Sequence, residues 1–375
     1  MNLTLSDEQE MIRESVFDYF SNTYTFDQHL ERLKSQKRPD AAAWQAMSEL
    51  GWLGLNVPES DGGLGLGPQE AMLVMEGAGA VLNVEPLLPT AILAAPLLAG
   101  TPAAAQALQA TLAGQASLAL AWAENNSGFA PLNLTSRAVN EGQSWRISGH
   151  KTMVDNGAEA DWLVVSARHD EGVVLLLVDG NAGGLSRTGT RLADGSHCAD
   201  LVFEDVTATA CLATGSTAET QLLRAVYRGL AASCAEALGA MEKALDICRD
   251  YLHERSQFGK PLAMQQVLQH RYVDMLIAVE RARSMTLLAA LQADAAAAGD
   301  AHACRDLSLA KLIVGRSARH VGGEAIQLHG GMGMAYEYPI GHYYRKLLCC
   351  DNNFGSQDDH LTLLVAEEAP EPVEA

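Results

Sequence analysis

Hydrophobic and polar positions change rhythm twice along the chain. Apolar residues Met11, Ile12, Val16, Phe17 and Phe20 recur at helical spacing after Ser6-Asp7-Glu8-Gln9. Ser6 as N-cap and Gln9 at the third helical position form a capping box, so a helix is predicted to start at residue 7. Further helices are predicted over Ala41–Leu50, Pro68–Ala78 and Ala103–Gly114, separated by the Gly- and Pro-rich joints "LNVPESDGGLGLG" and "GTPAA". Residues 1–116 therefore read as a helical domain. The texture then shortens. "ASLALAWAE", "SWRISGHKTMV", "ADWLVVSARH", "GVVLLLVDG" and "CADLVFEDV" are short runs rich in Val, Leu and Trp, broken by turn residues such as Asn-Glu-Gly and Asp-Gly. They predict a β-domain over 117–213, a barrel or sandwich. Helical spacing returns over Glu219–Glu254, Met264–Ala298, Ala303–Leu328 and from Gly341 onward, enough for a four-helix bundle over 214–365. The acidic, Pro-containing end, 366–375, is predicted to be disordered. The expected fold class is α+β, mainly α.

Composition narrows the function classes. The 375 residues are 48% hydrophobic and 19% charged, as in globular proteins, and suffice for two or three domains. The balance of 26 basic against 46 acidic residues gives −20, which argues against a nucleic acid or an anionic membrane surface as partner. A small ligand carrying phosphate stays open, because it needs only local donors. No apolar run reaches the length of a membrane span. The seven cysteines include no Cys-x-x-Cys pair, and the start "MNLTLSDEQE" has neither a basic nor an apolar leader region. A cytoplasmic protein with reduced thiols is expected.

Three stretches concentrate reactive side chains. "CCDNNFGSQDDH", from Cys349 to His360, holds two thiols, three carboxylates and an imidazole. Metal ligation needs three or four convergent ligands, and adjacent cysteines on a helix face different ways. The run reads as one core thiol with a partly buried neighbour, and no metal site is expected. "YLHERSQFGKPLAMQQVLQHRYVDM" places Arg255, Gln257, Gln266 and His270 around one helix–turn–helix corner. It is either a helical hairpin with a solvated rim or a set of guanidinium and amide donors for a pyrophosphate. "QLHGGMGMAYEYPIGHYYRK" carries Gly330, Gly331 and Gly333 after a helix end. They form a glycine-rich cap or a loop that lets a ligand approach backbone closely; without a preceding strand this is no Rossmann fingerprint.

Taken together, these stretches resemble the acyl-CoA dehydrogenase family. "RSQFGKPLAMQQ" is similar to its Arg-x-x-Phe-Gly element, and "QLHGGMGMAYEYP" to its Gln-x-x-Gly-Gly-x-Gly element. "ELGWLGLNVPESDGGLG" at 49–65 resembles its Pro-Glu-x-x-Gly-Gly turn, and "ISGHKTMVDNGAEADWLVVSAR" at 147–168 its Lys-x-x-(Ile/Val)-(Thr/Ser)-Asn strand pair. The helical–β–helical order matches over nearly the whole chain.

The resemblance implies α,β-desaturation of an acyl-CoA thioester. A carboxylate takes the α-proton, FAD takes the β-hydride, and electrons leave to electron-transfer flavoprotein. It also implies that Arg255, Gln257, Phe258 and Gln266 contact the phosphates and adenine of an FAD held by a neighbouring subunit. Gln327 and Gly331 would meet that FAD's ribityl and diphosphate region. The flavin-facing half departs from the pattern. Glu124 is kept in "AWAENNSGFAP", but Ala123 replaces a Thr and the Gly-Ser-Asp turn is missing. Asp155 stands where a hydroxyl normally meets the flavin ring. The position of the usual catalytic Glu falls on Phe354, and the alternative position on the long helix falls near Gly229; Glu236 is a weak substitute. Ser356 and Asp358 match flavin-facing positions, and Asp358-Asp359-His360 is expected to begin the last helix. "EALGAM", "QVLQHR", "HYYRK" and Phe-Gly-x-x-Asp-x-His resemble the small subunits of heteromeric bacterial acyl-CoA dehydrogenases acting on pimeloyl-CoA-like or steroid side-chain thioesters. In that branch a base-bearing large subunit is the partner. Two other readings stand beside it: a self-sufficient homo-oligomer with Asp351 or Glu236 as base, and a structural or regulatory paralogue without redox function.

Overall fold

The computed structural model describes residues 5–35, 39–125, 128–142, 144–170 and 172–368. The chain opens with helices α1 (Asp7–Thr23), α2 (Phe26–Lys34), α3 (Ala41–Glu49), α4 (Pro68–Ala80), α5 (Ala95–Leu98) and α6 (Ala105–Leu112). The predicted capping box starts α1: Gln9 N donates to Ser6 Oγ at 3.2 Å, and Ser6 N donates to Gln9 Oε1 at 3.0 Å. Thr25 and Gln28 repeat the device at α2, a helix the apolar spacing did not predict. Leu88–Ala94, also unpredicted, is wound in wide π-type turns and runs straight into α5. All seven of its residues are buried, so it has no polar face whose spacing could announce a helix.

Eight strands follow: β1 (Leu118–Ala121), β2 (Arg137–Asn140), β3 (Trp145–Asp155), β4 (Trp162–His169), β5 (Gly172–Asp179), β6 (Leu185–Arg191), β7 (His197–Thr207) and β8 (Ala210–Thr214). They form one sheet in the order β6-β7-β3-β2-β4-β5-β8, with β1 parallel to β4. Of the barrel or sandwich expected, the closed barrel is not formed, since β6 and β8 end the sheet unpaired with each other. β6 is polar along most of its length (Ser186, Arg187, Thr188, Thr190, Arg191), a composition that blunts an edge. The sheet folds over as two leaves around one core, to which Ile147, Leu201 and Phe203 contribute from one leaf and Leu163, Val165 and Leu176 from the other.

Helices then resume with α7 (Gly215–Glu254), a short hairpin β9 (Ser256–Gln257) and β10 (Lys260–Pro261), α8 (Gln266–Ala297), α9 (Ala301–His329), α10 (Ile340–Asn352) and α11 (Gln357–Glu368). The helix expected from Gly341 ends at Asn352, α11 opens beside the Asp358 expected to begin the last helix, and α11 covers the first residues of the expected disordered tail. The remaining residues of that tail, 369–375, lie outside the described residues. Among the described residues no helix is long and apolar enough to cross a membrane, and all seven cysteines are free thiols.

The 40 residues of α7 make a rod of roughly 60 Å at 1.5 Å per residue. It packs on α4, α8, α9, α10 and β5, so it touches all three regions. Its closest crossing is with α4. A Cβ at Gly79 would overlap the backbone carbonyl of Glu236, and a Cβ at Gly239 would overlap that of Glu76. Two reciprocal glycines therefore let the helix axes approach. Gly239→Ala is expected to destabilise the protein by about 3 kcal/mol or more, because backbone must move. Gly323→Ala on α9, where a Cβ meets nothing within 4 Å, is expected to be neutral or stabilising by about 0.5–1 kcal/mol. Urea unfolding midpoints of the two variants check the contrast.

Candidate functional site

The end of α4 and the segment after it, the end of β3, the β6–β7 loop, the middle of α7 and the last turns of α10 converge on a cavity of ≈450 Å³. The amphipathic pattern of α10 explains its chemistry. Ile340, Tyr343, Leu347 and Cys350 form the buried stripe, and Lys346 falls on the same face. A lysine there must be paired. Lys346 Nζ lies 2.7 Å from Glu236 Oε1 on α7 and 3.4 Å from Asp194 Oδ2 in the β6–β7 loop. Burial alone would lower the Lys346 pKa, but the two carboxylates hold it well above its usual value. Asp194 resists the upward push of burial for the same reason, helped by donors from Ser196, and stays below the usual carboxylate range. Asp155, the last residue of β3, lacks such a partner. Burial pushes it up to about 6; the nearby Asp194 and Glu236 reinforce this, while the donor from Asn353 Nδ2 at 3.2 Å and the charge of Lys346 oppose it. Glu159 and His197 pair at 2.8 Å on the same wall.

A second cavity, ≈240 Å³, lies on the other side of Met153, Asp155, Asn352 and Asn353, which line both. Phe354 closes it. Its ring lies parallel to that of Trp122 (10°, centroids 6.3 Å apart). Its edge packs on α7 so closely that a Cβ at Gly229 would sit 2.7 Å from Phe354 Cζ. The two positions expected for a catalytic Glu thus meet in space, and an aromatic ring against a glycine fills them. Phe354 and Gly355 both have positive φ (57° and 93°), a sharp turn that swings the ring inward. His360 holds this turn. Burial lowers its pKa to about 4, so the ring is neutral, and Nε2 meets the Phe354 carbonyl at 2.9 Å. Trp122 is fixed from below. Lys151 Nζ, fully buried, donates to the Trp122 carbonyl at 3.3 Å and to Glu124 at 2.7 Å. Glu124 also accepts from Thr135 and Ser136. Burial lowers Lys151 to about 8; Glu124, despite burial, is held at about 2 by Lys151 and Thr135, so the pair is ionised at neutral pH.

The other sequence candidates divide by location. Asp351 turns away from the cleft, pairing with Arg319 and accepting from Gln357 Nε2 at 2.9 Å, while Lys311 caps the α10 carbonyls. Glu236 does line the cleft, tied to Lys346 and accepting from the buried Cys350 Sγ at 3.7 Å. Ser356 lines the smaller cavity, its hydroxyl given to Asp359 at 2.8 Å as the cap of α11; Asp358 is exposed on the first turn of that helix. Arg255, Gln257, Gln266 and His270 are exposed around the β9–β10 hairpin, with Phe258 at its tip 91% exposed and at φ +55°. Gln327 and Gly331 are also exposed, at the same end of the bundle, where Tyr251 OH donates to the His329 carbonyl at 3.3 Å. Arg255 follows Gly229 by 26 residues along α7, which puts the two roughly 39 Å apart. Among the described residues no group of three or more His, Cys, Asp or Glu is arranged to hold a metal ion.

Sequence reasoning flagged Asp155 and Glu236 but missed Lys346 and Asp194. Lys346 was legible as a charge on the apolar stripe of α10; Asp194, in a polar loop, carried no signal.

These residues fit FAD in one place and not in the other. The cleft does not suit a flavin ring that turns anionic on reduction, because Asp155 presents a carboxyl to it. The exposed guanidinium and amides at the hairpin suit a diphosphate.

Comparison with known proteins covers the whole architecture. Residues 6–116, 119–206 and 221–367 match the acyl-CoA dehydrogenase N-terminal, middle and C-terminal domains. The chain is 29% identical over 359 residues to the probable acyl-CoA dehydrogenase YngJ of Bacillus subtilis (strain 168), covering 91% of this chain and 92% of that protein. It is 30% identical over 329 residues to the mitochondrial short-chain specific acyl-CoA dehydrogenase of Homo sapiens, covering 81% and 77%. Among solved structures, a variant of the Tcur3481-Tcur3483 steroid ACAD is similar with a TM-score of 0.87 and 30% identity, over 97% of this chain and 99% of that one. The butyryl-CoA dehydrogenase of Megasphaera elsdenii shares the fold at a TM-score of 0.85 and 23% identity, over 98% and 100%.

The raised pKa of Asp155 has a signed consequence for stability. A carboxyl raised from 3.8 to about 6 on folding contributes stability that is complete below 3.8 and lost as pH rises through about 6. Asp155→Asn has no such loss. It is expected to unfold at higher denaturant than the parent at pH ~8, by about 1–2 kcal/mol, with the difference gone near pH ~4. Guanidinium titrations at the two pH values check this.

Proposed function

Since this chain belongs to the acyl-CoA dehydrogenase family, we propose that it is the base-less subunit of a hetero-oligomer and completes the FAD site of a base-bearing partner. The observation that carries this reading is the filled slot at Phe354 and Gly229, set against donors left exposed at the far end of the same helix. Residues roughly 39 Å apart cannot serve one flavin within one chain. Arg255, Gln257 and Gln266 would hold the diphosphate and adenine end of the partner's cofactor, with Phe258 against it. Gln327 and Gly331 would meet its ribityl and diphosphate region, and a residual contact from Ser356 belongs to the same reading. FAD bound there supplies the hydride acceptor for desaturation of an acyl-CoA thioester. The α-proton goes to a Glu of the partner, because Glu236 and Asp351 are committed to Lys346 and Arg319. The paired name of the 30% identical steroid ACAD supports both the two-chain assembly and a steroid side-chain thioester as substrate. Electron-transfer flavoprotein is the expected electron acceptor, and the cytoplasm the expected compartment.

The test is to purify the chain alone and together with a base-bearing dehydrogenase encoded beside it. The lone chain is expected to be colourless and inactive. The pair is expected to carry FAD and to reduce an acceptor dye when given acyl-CoA. Arg255→Ala in the pair is expected to weaken FAD binding roughly tenfold or more, the value of a lost charge-assisted hydrogen bond. Stoichiometric FAD with turnover in the lone chain would sink the proposal. A pair that forms but stays colourless would favour the structural or regulatory reading.

A further inference from the structure

The ≈450 Å³ cavity lies beside the one that Phe354 closes, and its walls differ in polarity. Met75, Val84, Pro86, Leu88 and Pro89 make one wall mostly apolar; Asn83 and Glu85, the latter paired with Arg32, interrupt it. The opposite wall carries Asp155, Glu159, Asp194 and Glu236, together with Lys346 and His197. Both basic side chains are already taken: Lys346 by Glu236 and Asp194, His197 by Glu159. Asp155 differs. Among the described residues it accepts one hydrogen bond, from Asn353, and forms no ion pair. It stands where the two cavities share a wall.

We propose that this cleft is a binding site, without redox chemistry, for a neutral molecule with an apolar body and a hydroxyl group, the hydroxyl donating to Asp155. Three steps lead there. The apolar wall gains by covering an apolar body of matching size. A hydroxyl delivered to Asp155 makes a charge-assisted hydrogen bond that water otherwise supplies. A carboxylate in its place would enter a wall with more negative than positive charge, meet no uncommitted cation and lose its own hydration. The site therefore discriminates by charge: alcohols enter and acids of the same shape are refused. Nothing in this depends on the partner or on the cofactor. A failure here leaves the hetero-oligomer reading intact, and the reverse also holds.

Calorimetric titration of the full chain at neutral pH with naphthylethanol, ethylnaphthalene and naphthylacetate tests it. The three probes share a ring system and differ in the polar end. The alcohol is expected to bind saturably, roughly tenfold or more tighter than the acid, with the hydrocarbon between them. Asp155→Asn, which preserves shape, is expected to shrink the alcohol-to-acid ratio severalfold by improving the acid. Leu88→Trp, which fills the cavity from the apolar wall, is expected to weaken all three. Far-ultraviolet circular dichroism of each variant confirms that it is folded. The proposal is overturned if no probe binds saturably, if acid and alcohol bind alike, or if folded Asp155→Asn keeps the parent's ratio.

Discussion

A single buried lysine organises the centre of this molecule. Lys346 sits where the helical bundle, the sheet and the first helical region meet, and its charge must be answered there. Glu236 answers from α7 and Asp194 from the loop between β6 and β7, so the ion cluster joins the bundle to the sheet. Tyr343, three residues earlier on α10, ties the same helix to α4 by donating to the Ala80 carbonyl at 2.6 Å. Such a cluster is not a source of large net stability, since desolvation offsets most of the attraction. Its role is to fix register: with Lys346 removed, two buried carboxylates are left without their cation, at about 3–5 kcal/mol. The cleft walls inherit their positions from this arrangement.

Around that centre, the two positions at which a catalytic Glu was expected are filled by packing. Phe354 fills the space that Gly229 leaves, and Leu93 from the π-wound segment closes in on the same glycine. The three residues come from different parts of the chain, so the change is a joint one in volume. An acidic side chain at 229 or at 354 would now have to displace the other partner. Beneath them the buried Glu124–Lys151 pair holds the Trp122 carbonyl in place.

The fold was legible where a periodic face meets water. α1, α4, α8 and α9 showed themselves by apolar spacing and caps, and β3, β4, β5 and β7 by their Val- and Leu-rich runs. α2 and the Leu88–Leu98 segment escaped for opposite reasons: one is short and polar, the other buried on every side. The openness of the sheet could not be read from strand content, because closure depends on how β1 and β2 divide one edge of β4. In the site, sequence reasoning singled out Phe354 and Gly229 as positions where a Glu was expected but could not show that they touch. Lys346 was visible as a charge on an apolar stripe, whereas the loop carboxylate that answers it was not. Asp155 stood out only as a carboxyl in place of a hydroxyl, and that Lys346 is committed to Glu236 and Asp194 instead is a fact of three dimensions.

Gly229, Glu236, Gly239 and the approach to Arg255 all lie on one uninterrupted helix. Each residue added to α7 would advance everything beyond it by about 1.5 Å and turn it by about 100°. The glycine against Phe354, the carboxylate on Lys346 and the glycine under α4 are therefore phased against the hairpin like marks on a ruler. A substitution along α7 changes one contact at a time. Insertions and deletions do not, because they would put every later mark on the wrong side of the rod. The length of α7 is thus a more rigid property of this protein than the identity of most residues that compose it.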